Sequence, residues 1–302
     1  MRKSVLVLVL ALAAASTAAD AANIKIGFIT KFPAGFYTEM MNAAKKYAEK
    51  NNVEIILGQS KTATDTEGEI SIIESMIAQG VNGLAIAPVG AGVIPALDKA
   101  VAAGIKVVLV DNDIPDWSAK SSFVGTNNFN GGVIAGKYLA TRLKDGDKIA
   151  VLAGVPGVPA LDDRVKGMLK GLSGVKVEIV STLGTNCTRE LGASAAEDIL
   201  TAHPNIVGIY AACAPPLMGA IQSIDNAGID PTKLILVGFD ALPEEMTEIQ
   251  KGREQATVAQ FPTKIGELGA AALINAIRGE TVPKNVDSGE VLVTKENVAQ
   301  FK

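Results

Sequence analysis

The sequence predicts an α/β fold of two successive lobes, each a parallel sheet with helices on both faces. Short β-branched runs alternate with amphipathic helical segments from Ile24 to Thr294, and this alternation is typical of a parallel sheet that is covered on both sides. Apolar residues make up 48% of the chain and aromatic residues 4%, which favours α/β packing over a disordered or fibrous chain. The 302 residues are enough for two domains of ordinary size.

The first lobe is predicted from the segment between Ile24 and Val110. Its β-branched runs predict strands at 24–30, 53–57, 83–87 and 106–110. Apolar residues at helical spacing predict the intervening helices, at 36–50, 67–79 and 92–103. In the second of these helices Ile70, Ile73 and Ile77 lie on one face, and Gly80 ends the helix.

The second lobe is predicted from a new series of the same kind. Strands are expected at 123–125, 148–153, 175–182, 206–211, 234–239, 256–261 and 291–294. Helices are expected at 129–143, 160–172, 189–201, 217–227 and 265–277. Because each series is long enough for a complete doubly wound sheet, we expect two similar lobes.

The first residues predict a secretory signal peptide. Arg2 and Lys3 precede an unbroken apolar run, Val5–Ala15, and small residues follow up to an A-x-A site that ends at Ala21. This order is typical of an exported protein that is cleaved after the A-x-A site. A membrane span needs about 20 apolar residues, so the run is too short for an anchor. Since no cysteine near the site could carry a lipid, we expect residues 1–21 to be removed and the rest to be exported and released.

Charge and composition exclude several classes of function. The formal net charge is −4, and a mildly acidic surface attracts neither phosphate backbones nor anionic lipid, so no nucleic acid or membrane partner is expected. The chain has no G-x-S-x-G, no P-loop and no G-x-G-x-x-G after the first strand. Its single histidine, His203, has no Cys or His neighbours, so neither a metal nor a cofactor is expected. The sequence therefore does not predict an enzyme.

The two cysteines, Cys187 and Cys213, would meet an oxidising compartment, in which a disulfide can persist. The sequence does not fix the distance between their Cα atoms, on which a disulfide depends. Two separate buried thiols are the favoured prediction, and a disulfide is the alternative.

Polar side chains follow several predicted strands, at the edge where open α/β sheets bind ligands. They are Lys31, Asp111-Asn112-Asp113, Asn127-Asn128 and Asp240, with Gln260 in the last residues of its own predicted strand. We expect the ligand-binding residues to be found among them.

Three short motifs stand in a distinctive order, namely VVLVD at 107–111, VGFD at 237–240 and TVAQF at 257–261. In order and spacing they resemble the periplasmic sugar-binding proteins of ABC transporters, specifically the ribose, allose and galactose group. The resemblance implies the type I periplasmic binding protein fold, in which two Rossmann-like lobes with parallel sheets are joined by a three-strand hinge and hold a sugar between them. It places the crossings near Thr126, Gln260 and Asp287. The N-terminal lobe would be 23–125 plus 261–286, and the C-terminal lobe 127–259 plus 287–302.

The resemblance also implies roles for individual residues. Phe36 and Tyr37 stand where ribose-type members carry an aromatic pair, which stacks on the apolar C–H face of the sugar. Asp111 and Asp240 match carboxylates that accept hydrogen bonds from hydroxyl groups. Arg164 aligns with an arginine that donates to hydroxyls. The alternative roles are structural: a helix face for the aromatic pair, helix caps for the aspartates and a surface ion pair for the arginine.

Other positions depart from the ribose-type pattern. Asparagines of that group are replaced by Ala34, Ala87 and Cys213, a second arginine by Asn112, and a further stacking aromatic residue by Cys187. Each change removes a hydroxyl partner or a ring face, so we expect a deoxy sugar, a branched pentose or a short polyol instead of ribose. The complete predicted ligand-binding set is Lys31, Phe36, Tyr37, Asp111, Asn112, Arg164, Cys213, Asp240 and Gln260.

The expected function is capture of the sugar or polyol by hinge closure of a monomer, which then delivers it to an ABC permease. Lys31 and the run 111–113 loosely resemble receptors for furanosyl quorum signals, which are the alternative, and a chemoreceptor ligand presenter is compatible with the same fold. A glycosidase would need Asp111 and Asp240 as its carboxylate pair. A sugar-sensing repressor shares the two-lobe core, but it carries a helix-turn-helix where this chain has its predicted leader.

Overall fold

The structure is a computed structural model and describes residues 24–301. The predicted signal peptide, residues 1–21, lies outside the described residues. Within 24–301, every helix is too short or too polar to span a bilayer.

Strands alternate with helices along the described chain. The elements of the first part are β1 (Lys25–Thr30), α1 (Gly35–Lys50), β2 (Glu54–Gln59), α2 (Thr66–Ala78), β3 (Gly83–Ile86), α3 (Ile94–Ala102), β4 (Lys106–Val110) and β5 (Ser122–Gly125). Those of the second part are α4 (Asn128–Arg142), β6 (Lys148–Ala153), α5 (Pro159–Gly171), β7 (Glu178–Gly184), α6 (Arg189–Ala202), β8 (Gly208–Ala211), α7 (Ala214–Asn226), β9 (Ile235–Asp240), α8 (Pro243–Lys251), β10 (Ala256–Ala259), α9 (Pro262–Ile277), β11 (Asn285–Asp287) and β12 (Val291–Thr294).

Two six-stranded sheets define the two lobes. The strand order is β11-β5-β4-β3-β1-β2 in the N-terminal lobe and β12-β10-β9-β8-β6-β7 in the C-terminal lobe. The two orders follow one pattern, so each strand of one lobe has a counterpart in the other. All N-terminal strand pairs are parallel, whereas β12 pairs antiparallel with β10. The predicted fold class is confirmed, and the edge strand β12 is the exception to its parallel sheets.

Apolar cores cover both faces of each sheet, as the near-continuous apolar strands predict. In β1, Phe28 belongs to the core on one face and Ile29 to the core on the other. In β6, Leu152 likewise belongs to the core on one face of the sheet and Val151 to the core on the other. This period-two alternation is what a strand buried on both sides requires.

The chain passes between the two sheets three times, after β5, after β10 and after β11. After β10 it returns to the N-terminal lobe, where Ile265 and Leu273 of α9 are buried in the same core as Phe28. The polar residues at these crossings therefore lie next to both lobes.

Several element boundaries differ from the sequence prediction. β7 begins at Glu178 and not at 175, because residues 172–175 form the turn after α5. Helices α7 and α9 each begin three residues before the predicted start, because their prolines occupy the first turn. The N–H groups of the first turn have no partner within the helix, so the missing N–H of proline removes no helical hydrogen bond. Helix α8 was not predicted, although Pro243 and two glutamates mark its first turn. Strand β10 ends at Ala259, so Gln260 follows its strand and does not belong to it.

Candidate functional site

A cavity of about 90 Å³ lies between the lobes, at the carboxyl ends of both sheets. The structure brings all nine residues of the predicted ligand-binding set to its wall: Lys31, Phe36, Tyr37, Asp111, Asn112, Arg164, Cys213, Asp240 and Gln260. Their role as ligand contacts stays a prediction.

The two lobes place their aspartates at equivalent points. Asp111 follows β4 and Asp240 ends β9, and these strands hold the third place in the two strand orders. Both residues have left-handed backbone angles, with φ of 62° for Asp111 and 103° for Asp240. Such a conformation costs about 1–3 kcal/mol in a residue other than glycine and is concentrated at functional sites. Neither aspartate caps the next helix, since the N-cap of α8 is Leu242 and α4 is capped by Asn127.

The N-terminal wall is built around Tyr37, which is 6% exposed. Its Oη donates a hydrogen bond to Asp111 Oδ2 over 3.0 Å. The ring meets Phe32 and Phe36 edge to face, with centroids 5.2 and 5.3 Å apart. Burial, together with the Asp111 carboxylate, raises the pKa of Tyr37 well above its usual value. The phenol therefore keeps its proton and acts as a donor to Asp111.

Lys31 brings a buried ammonium group to the same wall, and its side chain is also among the cavity residues. Burial lowers the pKa of Lys31, and the carboxylates of Asp111 and Glu69 oppose this effect. An ammonium group carries three hydrogen-bond donors. Lys31 thus offers donor capacity to whatever enters the cavity.

Arg164 is the centre of the C-terminal wall and is 4% exposed. Its Nε donates to Asn128 Oδ1 over 2.8 Å, and its Nη1 donates to the Ala212 carbonyl over 2.8 Å and to Asp240 Oδ1 over 3.1 Å. The guanidinium lies 3.9 Å from the ring centroid of Phe239, which is a favourable cation–π geometry. These contacts fix both the position and the orientation of the guanidinium.

Close helix packing supports this arginine. On α4, a Cβ atom added to Gly132 would collide with the Arg164 carbonyl, and one on Gly136 would collide with the Met168 carbonyl. On α5, a Cβ on Gly167 would collide with the Phe129 carbonyl. The two helices therefore touch backbone to backbone, so α5 carries Arg164 on a rigid support.

Asp240 accepts three hydrogen bonds. Gln260 Nε2 donates to its Oδ1 over 2.6 Å, Arg164 donates to the same oxygen, and the Ala214 N–H at the start of α7 donates to Oδ2 over 3.1 Å. Burial raises the pKa of Asp240, while Arg164, Ala214 and Gln260 oppose this effect. The carboxylate is thus largely satisfied by the protein itself.

A hydrogen-bond chain links this carboxylate to the crossings between the lobes. Gln260 Oε1 accepts from Thr126 Oγ1 over 2.8 Å, and Thr126 Oγ1 lies 3.4 Å from Ser288 Oγ. Thr126 and Ser288 are 3% and 0% exposed. Each of the three residues stands at a different crossing, so one chain joins all of them.

Cys187 and Cys213 form a disulfide, with an S–S distance of 2.06 Å and a Cα–Cα distance of 5.8 Å. The prediction of two separate thiols was wrong. The loops after β7 and β8 converge over the end of β6, where Gly154 has no side chain to keep them apart. A Cβ atom added to Gly154 would lie 3.1 Å from Cys187 Sγ. This convergence depends on the strand order, which spacing along the sequence does not reveal.

The predicted ligand-binding set left out several apolar residues of the cavity, because it was drawn mainly from polar side chains that follow strands. They are Phe32, Ala34, Ala63, Val155, Leu161, Cys187, Pro215 and Leu242. Two of these, Ala34 and Cys187, stand at positions where the sequence departs from the ribose-type pattern. Position was the available signal, since Phe32, Val155 and Leu242 also stand shortly after β1, β6 and β9.

Three polar candidates from the strand ends lie elsewhere. Asp113, Asn127 and Asn128 line a separate groove of about 310 Å³ beside the crossings. Asp113 forms an ion pair with Lys120, Asn127 caps α4, and Asn128 bonds Arg164. All three therefore have structural partners.

The donors and acceptors of the cavity suit a small ligand with several hydroxyl groups. Lys31 and Arg164 supply two positive charges, and Asp111 and Asp240 supply two negative charges, so an uncharged ligand leaves the balance intact. Within residues 24–301, no cluster of His, Cys, Asp and Glu could hold a metal ion.

Comparison with known proteins gives a consistent result. Residues 26–281 match the periplasmic binding protein domain family. The chain is 31% identical over 264 residues to the D-ribose/D-allose-binding protein of Pseudomonas aeruginosa, over 85% of this chain and 82% of that protein.

Two solved structures of ABC transporter solute binding proteins share the fold. The protein from Burkholderia graminis, in complex with D-arabinose, is 29% identical with a TM-score of 0.87, over 94% of this chain and 99% of that one. The protein from Mycobacterium smegmatis, with bound glycerol, is 32% identical with a TM-score of 0.85, over 92% and 96%. The predicted resemblance is confirmed, and the chain belongs to the periplasmic binding protein domain family.

Proposed function

We propose that this protein captures a monosaccharide or related small polyol in the periplasm, as a monomer, and delivers it to an ABC transporter permease. The observation that carries the proposal is the cavity between the lobes, where aromatic rings stand beside charged and amide side chains from both sheets. The solute-binding neighbours, with D-arabinose and glycerol bound, support this class of ligand. The matched family supports a periplasmic solute-binding role over an enzymatic one.

The polar groups of the cavity are matched to hydroxyls. A hydroxyl group both donates and accepts hydrogen bonds, and the cavity offers carboxylate acceptors at Asp111 and Asp240 and donors at Lys31 and Arg164. Gln260 supplies an amide beside the crossings. The aromatic cluster around Phe36 covers the C–H face that such a ligand leaves apolar.

The division of these groups between the lobes supports hinge closure as the binding motion. Lys31 and Asp111 belong to one lobe, and Arg164 and Asp240 to the other. A ligand that touches both sets binds the closed form more tightly than the open form and shifts the population towards closure. The closed form would then be the form presented to the permease.

A thermal melting screen over pentoses, deoxy sugars, branched sugars and polyols tests the proposal. A ligand at about 100 times its Kd stabilises the native state by roughly 2.7 kcal/mol, which for a chain of this size raises the Tm by roughly 5–10 °C. Arg164→Met protein provides the control, since it lacks the central donor. A panel with no shift at all would contradict the proposal.

A receptor for a furanosyl signal is the second candidate, because Lys31 places an ammonium group beside Asp111. The same screen separates the two functions when it includes a furanosyl diol among the pentoses. A shift with that compound alone favours the receptor, whereas shifts with common sugars or polyols favour transport. Presentation to a chemoreceptor is compatible with either result.

A further inference from the structure

The cavity has a polar end near the crossings and an apolar end away from them. Along the C-terminal strand order, Gln260 and Asp240 follow or end β10 and β9, the strands next to the edge where the lobes are joined. Farther along, β8, β6 and β7 are followed by Cys213, Val155 and Cys187. The polarity of this wall therefore changes in the direction of the strand order.

We call the apolar part the disulfide wall, formed by Cys187, Cys213, Val155 and Leu161. These four residues pack in one cluster, and all four line the cavity. Carbon side chains offer no hydrogen bonds, and sulfur is at most a weak acceptor. A hydroxyl group buried against this wall would lose its water partners without gaining new ones, which costs free energy.

The facing N-terminal residues reinforce this division. Phe32 and Ala63, which follow β1 and β2, are apolar and line the cavity. Lys31 also follows β1, and its ammonium group, which the carboxylates of Asp111 and Glu69 attract, is the charged exception on this side of the cavity.

We infer that the ligand binds with its hydroxyl-rich end towards the crossings and with a carbon that bears no hydroxyl, a deoxy or methyl carbon, against the disulfide wall. The Cys187–Cys213 disulfide is a specificity-determining element of the site. This inference rests on the proposed function and names its substrate class, a sugar or polyol that lacks oxygen at one end.

Matched pairs of sugars that differ in one hydroxyl group test the inference. The pairs are D-galactose and D-fucose, L-mannose and L-rhamnose, and D-ribose and 5-deoxy-D-ribose, with Kd measured by calorimetry. The wild-type protein should bind the deoxy member of at least one pair about tenfold more tightly, which corresponds to ~1.4 kcal/mol.

Two double variants separate the chemistry of the wall from the cross-link. Cys187→Ser with Cys213→Ser places two hydroxyl groups on the wall, and should remove or reverse the preference for the deoxy sugar. Cys187→Ala with Cys213→Ala also breaks the cross-link but keeps the wall apolar, and should retain the preference. Thermal unfolding of both variants reports whether they fold, and if the serine variant does not, the wild-type pairs still decide the question.

Three results would overturn the inference. The first is that the wild-type protein binds the fully hydroxylated sugar of every pair equally tightly or more tightly than the deoxy sugar. The second is that the alanine variant loses the preference for the deoxy sugar to the same extent as the serine variant. The third is binding of a panel sugar or polyol while no deoxy member binds, which leaves the proposed function intact. If no compound of either panel binds, the proposed function fails together with the inference.

Discussion

The two lobes share one strand order and present different chemistry to the cavity between them. At the third place of each order the lobes are alike, with Asp111 opposite Asp240. At the fifth place stand β1 and β6, which are followed by Lys31 in the N-terminal lobe and by Val155 in the C-terminal lobe. At the sixth place the loop of Ala63 corresponds to that of Cys187. A common topology thus fixes where functional side chains stand, but not what they are.

The lobes differ also in how far their charges are already satisfied. Asp240 accepts from three donors and Arg164 donates to three acceptors within the C-terminal lobe and its crossings. Asp111 accepts a side-chain hydrogen bond from Tyr37, and the buried ammonium of Lys31 is attracted by the carboxylates of Asp111 and Glu69. The side chains of the C-terminal wall are therefore largely satisfied by one another, and under the proposed function we expect the N-terminal wall to hold more of the hydrogen-bonding capacity for a ligand. Substitutions in the two walls should have different consequences.

Arg164→Met should have the largest effect, on stability and on affinity together. Removing one partner of a buried ion pair costs about 3–5 kcal/mol, because the other charge is left buried without it. Denaturant unfolding and calorimetry measure the two losses. Arg189→Met is the matched control, since Arg189 pairs with Glu244 on the exposed surface and such pairs contribute about 0–1 kcal/mol. If Arg164→Met loses no more stability than Arg189→Met does, the proposed difference between the two walls is wrong.

Asp111→Asn should reduce affinity and cost less stability than Arg164→Met, because Lys31 keeps a second carboxylate, that of Glu69, near it. The amide loses the negative charge that strengthens hydrogen bonds from hydroxyls, a change of about 1–1.5 kcal/mol for each bond, or roughly five- to twelvefold in Kd. Asparagine tolerates the left-handed backbone, and its carbonyl oxygen still accepts from Tyr37. Asp116→Asn, at an exposed position of the same loop, is the control. A fall in Tm as large as that of Arg164→Met would show that the two walls do not differ in this way.

Buried acids give a second contrast between the lobes. In the N-terminal lobe, burial raises the pKa of Glu69 to about 7, while the Val89 N–H and Lys31 oppose the shift. In the C-terminal lobe, Glu245 and Glu254 are 0% and 1% exposed. Burial and the Asp240 carboxylate raise the pKa of Glu245 to about 8, and burial with the Glu245 carboxylate raises that of Glu254 well above its usual value. The second lobe thus holds two buried carboxyl groups whose ionisation is coupled.

Glu254→Gln should have the smallest effect, and one that depends on pH. Both carboxyl groups bind protons more tightly in the folded state than in the unfolded state, so their contribution to stability is full below about pH 4.5 and is lost as the pH rises towards 8. The neutral amide removes part of this loss. The variant should therefore exceed the wild type in Tm at pH 8 by about 2–4 °C for each kcal/mol gained, and by less at pH 5. Glu244→Gln, at an exposed position, should show no such trend, and parallel curves for Glu254→Gln and wild type would contradict the assignment.

The fold class could be predicted from the sequence because strands and helices each leave a pattern in neighbouring residues. Apolar runs such as that of β4 predict buried strands, and helical spacing identifies α1 and α2. The antiparallel direction of β12 was not predictable in this way, because the direction of an edge strand depends on how the chain returns after its third crossing.

The candidate site also has one part that the sequence could predict and one part that it could not. Lys31, Asp111 and Asp240 were predictable, because polar residues after parallel strands stand at the edge where ligands bind. The disulfide wall was not, because it needs the loops after β7 and β8 to converge over Gly154. That convergence is a property of strand order and side-chain size together, and neither is visible in the spacing of two cysteines.

The hydrogen bonds that link the side chains of Asp240, Gln260, Thr126 and Ser288 have a mechanical consequence if the proposed closure occurs. Three separate connections would allow the lobes to swivel about three independent pivots. Because buried side chains tie these connections to one another, we expect the three connections to move together as one joint during that closure. Asp240 Oδ1 accepts from Arg164 and Gln260 alike, so a single carboxylate oxygen joins this network to the C-terminal wall of the cavity.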